Sequence, residues 1–236
     1  VVDNASSDDS VELTRRSFPS ARILRNRANL GYNAALNQAF EAMTGDYLLA
    51  MNTDIRLAPD FVAQLARCIE RHRAEGCGYA QGKVALMSET GEPDGRLYST
   101  GHLICPNRIV YNRGGGQRDA GQYEREEAIP GANAACLLMA REMLEDMRSP
   151  VGPFDPLFFM YGGDVDFDWL AALRGWRAWY CPRAAAYHIG EATSQVAKRG
   201  FDADFVNSRF LTMLKNDRPL DVLLDLPRLA KRTIQD

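Results

Sequence analysis

Apolar residues in this chain gather into short unbroken runs that alternate with stretches of helical period. The clearest run spans residues 47–54, YLLAMNTD, where apolar positions stop abruptly at Asn52-Thr53-Asp54. A run of that length, bounded by turn residues, predicts a buried strand of a parallel sheet. Ahead of it, residues 34–43 carry Leu36, Ala39, Phe40 and Met43 on one helical face. After it, Pro59 suits a first helical turn, and Phe61, Leu65 and Ile69 recur every four residues to about residue 73. Residues 78–86 read as another strand. At the start, Val1-Val2 reads as the end of a strand. The cluster DNASSDD at 3–9 then caps a helix to about residue 16, and residues 21–24 form a short strand. Strand, helix, strand, helix, strand, helix, strand is the order of a doubly wound α/β unit.

The pattern changes over residues 88–127, which are rich in Gly and polar residues and weakly periodic, with one or two short strands expected within 97–110. A long irregular stretch inside a compact domain predicts a substrate-facing loop. Residues 134–140, AACLLMA, read as a buried strand or the start of a helix, 141–147 as helical, and the aromatic 152–161 as a packed loop. A helix is expected over 164–173, closed by Gly175, then a strand over 179–189, then helices over 201–215 and 220–231 divided by Pro219. The opening on a strand end predicts that an N-terminal segment precedes the chain as given. The expected division is an α/β domain at 1–218 and a helical extension at 219–236.

Composition narrows the classes. The 236 residues carry 28 basic and 31 acidic side chains, a net charge of −3, which argues against a bulk electrostatic grip on nucleic acid. Five cysteines, widely spaced and without a CxxC pair, suggest neither a disulfide framework nor a zinc knuckle. No apolar run approaches the roughly 20 residues of a membrane span. A cytoplasmic setting is expected, with the leucine-rich last helix a candidate for peripheral membrane contact.

Candidate chemistry lies where apolar runs end. In open α/β sheets, ligands bind beyond the carboxyl ends of strands. A carboxylate such as Asp54 can there hold Mg²⁺ or Mn²⁺ against phosphates, although Asn and Asp also serve as plain turn residues. Gly31 permits close backbone approach at a helix entry, where an anion such as a diphosphate is favoured. Both GxxxxGK[ST] and GxGxxG are absent. The cluster Asp164, Asp166, Asp168 is no calcium loop, because Trp169 and Gly175 stand where an EF-hand needs Gly and Glu. On a helix, Asp164 and Asp168 share a face and Asp166 points elsewhere, and all three suit the N-terminal dipole. The glycines before Asp164 let a substrate come close, which makes it the candidate for chemistry. Of three histidines, His72 is expected on the surface and His102 in the irregular middle. His188, at a strand end, is either a metal ligand or a hydrogen-bonded core residue. Asp3 is either a turn carboxylate or an acceptor inside the crevice.

Taken together, VVDNASSD at 1–8, NLGYNAALN at 29–37, MNTD at 51–54, GAN at 131–133, DVD at 164–166 and His188 followed by Ser194 resemble glycosyltransferase family 2, and most of all its bacterial rhamnosyltransferase-type members. The resemblance runs from residue 1 to about 219. It implies the α/β GT-A fold, a Rossmann-like nucleotide-diphospho-sugar transferase fold with a mostly parallel central sheet flanked by helices. It further implies that Asp3, with Asn4, receives the nucleotide base, and that Gly31, with Asn29 and Asn33, lies near the nucleotide. Asn52 replaces the first acid of the family's DxD motif, and Asp54 is its metal-binding end. Gly131 opens the sugar-binding loop, Asp164 is the catalytic base with Asp166 on the donor side, and His188 is a further metal or diphosphate ligand. Gly163 stands where the family usually carries Glu. The implied activity is inverting transfer from a UDP- or dTDP-linked sugar to a hydroxyl of a saccharide or lipid-linked acceptor, with Mg²⁺ or Mn²⁺, in cell-surface polysaccharide synthesis. Two other classes share these features. Acid clusters at strand ends also serve metal-dependent phosphoryl or nucleotidyl chemistry, and Gly163 suits a non-catalytic nucleotide-sugar-binding domain.

Overall fold

The computed structural model describes residues 1–105, 109–190, 201–220 and 222. Its centre is a seven-stranded sheet whose main path runs β3 (Tyr47–Met51), β10 (Cys136–Ala140), β5 (Cys77–Met87), β11 (Arg177–His188), β4 (Ile55–Leu57). At its margins β6 (Pro93–Ser99) pairs with β5, and β9 (Glu127–Ile129) with β11. Strands β3, β5 and β11 point the same way, as expected. However, β10 runs antiparallel between β3 and β5, and β4 antiparallel to β11. The pairing is therefore mixed rather than mostly parallel. Only Asn52, Thr53 and Asp54 separate β3 from β4, far short of the dozen or so residues a parallel crossover needs, so the chain must turn back.

All five residues of β10 are buried. Leu137 and Met139 enter one core, and Cys136 and Leu138 enter the other. A strand covered on both faces must be apolar throughout, which settles 134–140 as a strand and explains its unbroken run. One core holds helix α3 (Phe61–Arg71), whose Phe61, Leu65 and Ile69 are 0 % exposed. Each contributes roughly 1.5–3 kcal/mol relative to exposure. The opposite core takes α2 (Tyr32–Ala42) through Phe40, α4 (Arg141–Asp146) through Met143 and Leu144, and α5 (Gly163–Leu173) through Phe167 and Ala171. The result is three layers, helix on sheet on helix.

The irregular middle is a correction. It holds β6, then a hairpin of β7 (His102–Ile104) and β8 (Val110–Asn112), then β9. Strands of three residues are too short to show a period, and so they escape the sequence pattern. The loop at 152–161 packs inward through Phe154 and Phe158 as expected. Strand β1 (Val2–Asp3) pairs in parallel with β2 (Leu24–Arg25) in a separate two-stranded sheet, with α1 (Ser10–Ser17) between them in sequence. Helix α6 (Phe201–Asn216) packs on α5. Ser194 and most of the helix expected at 220–231 lie outside the described residues. All five cysteines are free. Among the described residues, no helix is long and apolar enough to cross a membrane.

Candidate active site

Strands β3, β5 and β11 end on one edge of the sheet, and the sequence candidates Asn52, Asp54 and His188 meet there. The reversal from β3 to β4 lays Ile55 beside His188. That register brings Asp54 Oδ1 to 3.0 Å from His188 Nε2. The Asn52 backbone N–H donates to Ala135 O at 2.9 Å, fixing the turn. The His188 ring is 4 % exposed and rests edge-on against Tyr98, with centroids 4.2 Å apart. Burial holds its pKa below the ordinary imidazole value against the pull of Asp54, which favours the neutral ring that a metal ligand needs. Its Nδ1 is buried with no hydrogen-bond partner among the described residues. The Asp54 side chain is 19 % exposed and so faces the crevice. A half-open carboxylate beside a neutral imidazole is a donor set that fits a divalent cation with room for further oxygen ligands.

Across the edge, Asp164 opens α5. Its Oδ1 accepts from Val165 N at 3.0 Å, and its Oδ2 from Ala134 N at 3.3 Å. Its side chain is 20 % exposed. Tyr161 and Gly162 both adopt left-handed backbone just ahead of it, at φ 61° and 73°, a costly turn for a tyrosine. Gly163 has no room for a side chain, since a Cβ there would meet the buried amide of Asn33 at 2.6 Å. Tyr98 lies between the two groups. Burial pushes its phenol up, opposed by hydrogen bonds with Asn112 and Asn133, and the charges of Asp164 and Asp54 both reach it.

Three residues that the motifs did not single out as site residues stand behind Asp164. His102 Nδ1 is 2.7 Å from Asp168 Oδ2, and His102 Nε2 is 3.6 Å from Asp164 Oδ2. Asp168 Oδ1 also accepts from the Tyr79 hydroxyl at 2.8 Å and from Ala132 N at 3.1 Å. Asp168 and His102 are 1 % and 3 % exposed. The shared face of Asp164 and Asp168 was legible in their spacing. His102 was hidden by the featureless stretch around it.

The other candidates have the following partners within the chain. Gly31 does allow a close approach, but by Phe159: a Cβ at 31 would lie 2.8 Å from the Phe159 ring, and Tyr32 N donates to Phe159 O at 3.0 Å. Gly131 faces Asp168, whose Oδ2 would be 1.9 Å from a Cβ. Asp166 is turned away from the edge, accepting from Lys215 Nζ at 2.7 Å and Asn216 Nδ2 at 2.8 Å, so it anchors α6. Hydrogen bonds from Ser6 hold the Asp3 carboxyl below the usual range, with Arg25 adding to them. Asn4 donates to Gly31 O at 3.0 Å and accepts from Asn26 at 2.8 Å, while Asn29 accepts from Gly31 N at 3.0 Å. These three asparagines shape the loop before α2. Asn33 donates to Asp155 O at 2.9 Å, tying α2 to the 152–161 loop.

His72, expected on the surface, is partly buried and stacked on Trp179 at 4.4 Å. Its nitrogens lie 2.6 Å from Glu75 and 2.8 Å from Glu126. Burial opposes its charge, and the two carboxylates outweigh burial and raise its pKa. Cys68, His72 and Glu126 converge closely enough to share an ion. Both ring nitrogens already have partners, however, and this group sits at the far end of β11 from Asp54 and His188.

The doubly covered mixed sheet thus carries an acid and a histidine at one end, with a second acid heading a helix opposite. The chain belongs to glycosyl transferase family 2, which it matches over residues 1–148. It is 27% identical over 215 residues to the N-acetylglucosaminyl-diphospho-decaprenol L-rhamnosyltransferase of Mycobacterium tuberculosis, covering 80% of this chain and 65% of that protein, so it spans about two thirds of that relative's length. Among solved structures, GalNAc-T7 with UDP, GalNAc and Mn2+ is similar at TM-score 0.62 and 13% identity, over 86% of this chain and 42% of that one. The mannosyltransferase PcManGT of Pyrobaculum calidifontis, in complex with GDP-Man and Mn2+, is similar at TM-score 0.56 and 20% identity, over 98% of this chain and 58% of that one. These structural likenesses carry the fold.

Proposed function

We propose that this chain is the catalytic domain, residues 1–218, of an inverting glycosyltransferase. It would move a sugar from a UDP- or dTDP-linked donor to a hydroxyl of a saccharide or lipid-linked acceptor, in cell-surface polysaccharide synthesis. The observation that carries the reading is one sheet edge holding the Asp54–His188 pair on one side and Asp164 on the other, with Tyr98 between. The relative named for a lipid-linked acceptor supports the acceptor class. Asp54 and His188 would hold a divalent cation, which supplies charge neutralisation for the departing diphosphate. Asp164 takes the proton of the acceptor hydroxyl as its oxygen bonds to the anomeric carbon and the bond from that carbon to the diphosphate breaks.

Replacing Asp164 by Asn removes the base and keeps the shape. Transfer should fall by roughly 10²–10⁴-fold, while calorimetric binding of the nucleoside diphosphate persists. Wild-type transfer by Asp164→Asn would end this assignment of the base.

A further inference from the structure

Behind the base lies a buried pair that the reaction as described leaves unused. We propose that Asp168 and His102 form a positioning pair that holds Asp164 toward the acceptor and keeps it ionised until the proton arrives, an inference that rests on the glycosyl-transfer reading. Asp164 and Asp168 are one helical turn apart on α5, and His102 at the start of β7 reaches both. The arrangement is oriented at every atom. The Tyr79 hydroxyl and Ala132 N–H fix Asp168 Oδ1. Asp168 Oδ2 then fixes His102 Nδ1, which aims Nε2 at Asp164 Oδ2.

Core packing alone does not account for this group. Burying a carboxylate and an imidazole together is costly, and apolar residues of similar volume would serve a core at least as well. The chain also gives up a side chain at Gly131 to admit the Asp168 carboxylate. At 3.6 Å the outer contact is longer than a hydrogen bond, as such contacts often are before substrate seats.

The charges balance. The groups facing His102 are Asp164 and Asp168, both from α5, and Tyr79 from β5 acts on it through Asp168. In the proposed arrangement His102 carries its proton before transfer and lies between two carboxylates. When the acceptor O–H breaks and its proton goes to Asp164, the imidazolium remains paired with Asp168. Burial works against charge on His102, but the hydrogen bond and charge of Asp168, with Asp164 adding, raise its pKa. Burial raises Asp168 as well, against the pull of His102.

The test measures nucleoside diphosphate release from UDP-, dTDP- and GDP-linked sugars with an N-acetylglucosaminyl-diphospho-polyprenol acceptor, across pH, for wild type, His102→Gln and Asp168→Asn. In His102→Gln, loss of the cation leaves Asp164 beside an unshielded Asp168. The acid limb of kcat should move up by about one pH unit. On the acid side of that limb, kcat should then fall by up to about tenfold, with donor KM within about threefold. A merely structural role would not move that limb. Folded variants with wild-type kcat and an unmoved limb overturn the proposal. Should both variants fail to fold, ¹⁵N chemical shifts of the wild-type imidazoles decide: with only three histidines, a His102 ring still cationic at pH 7 supports the pair, and a neutral ring at pH 6 overturns it. The Asp164→Asn variant separates the two failures. If it transfers normally, the base assignment falls, and if it is dead while His102→Gln is unchanged, only the pair falls.

Discussion

The molecule carries two Asp–His pairs with similar contact distances and opposite surroundings. Asp54 and His188 meet at the open edge, with one buried ring nitrogen unpartnered and a carboxylate part-exposed. Asp168 and His102 meet in the interior with nearly every polar atom engaged. Burial lowers His188 despite Asp54, whereas His102, held by Asp168 and facing Asp164, is raised despite greater burial. The comparison teaches that residue types alone do not assign a role. The number of carboxylates facing the imidazole, and the unused donor capacity left beside it, separate a ligand-holding pair from a charge-holding one.

The sharpest way to break the inner pair is Gly131→Ala. Its Cβ would fall 1.9 Å from Asp168 Oδ2 and 2.4 Å from Asp168 Cγ. The expected loss is about 3 kcal/mol or more of stability, read as a large drop in melting temperature, and no transfer. The outer pair is broken by Asp54→Asn, which should reduce metal-dependent turnover by about a hundredfold or more with the melting temperature nearly unchanged. Next comes Asp166, the acid facing neither pair. Asp166→Asn weakens the Lys215 and Asn216 contacts and should cost about 1–3 kcal/mol in chemical denaturation, leaving nucleoside diphosphate affinity as in wild type.

The smallest effect concerns His72. Its folded pKa is raised above the ordinary 6.5, so its contribution is complete below 6.5 and fades as pH rises through the folded value. The melting temperature of His72→Gln should lie about 2–3 °C below wild type at pH 6 and match it at pH 9. An equal gap at both pH values would refute the ion-pair account of this histidine.

Much of this arrangement was legible in the sequence. Strand β3 ending at Asn52-Thr53-Asp54, the fully buried face of α3, and His188 at a strand end all followed from apolar runs and their boundaries. A strand that must bury both faces announces itself by composition. Direction does not, and so antiparallel β10 went unread: the same apolar run suits either polarity. His102 was illegible because its strand is three residues long and its partners, Asp164 and Asp168, lie far along the chain on α5. Asp168 was half legible, since spacing placed it with Asp164 but could not say whether that face met solvent or core. Gly31 was singled out as a place of close backbone approach, and Gly131, by resemblance, as the start of a sugar-binding loop. What approaches them is Phe159 and Asp168, which only the folded chain reveals.

The central claim is that Asp54 and His188 form the cation-dependent donor site. The most direct test is calorimetric binding of UDP, dTDP and GDP, each with and without Mn²⁺, to wild type and Asp54→Asn. The account predicts that wild type binds one of the three tightly only with Mn²⁺, and that Asp54→Asn loses the metal-dependent part. Equal binding with and without Mn²⁺, or an Asp54→Asn variant that keeps the full metal effect, would contradict it.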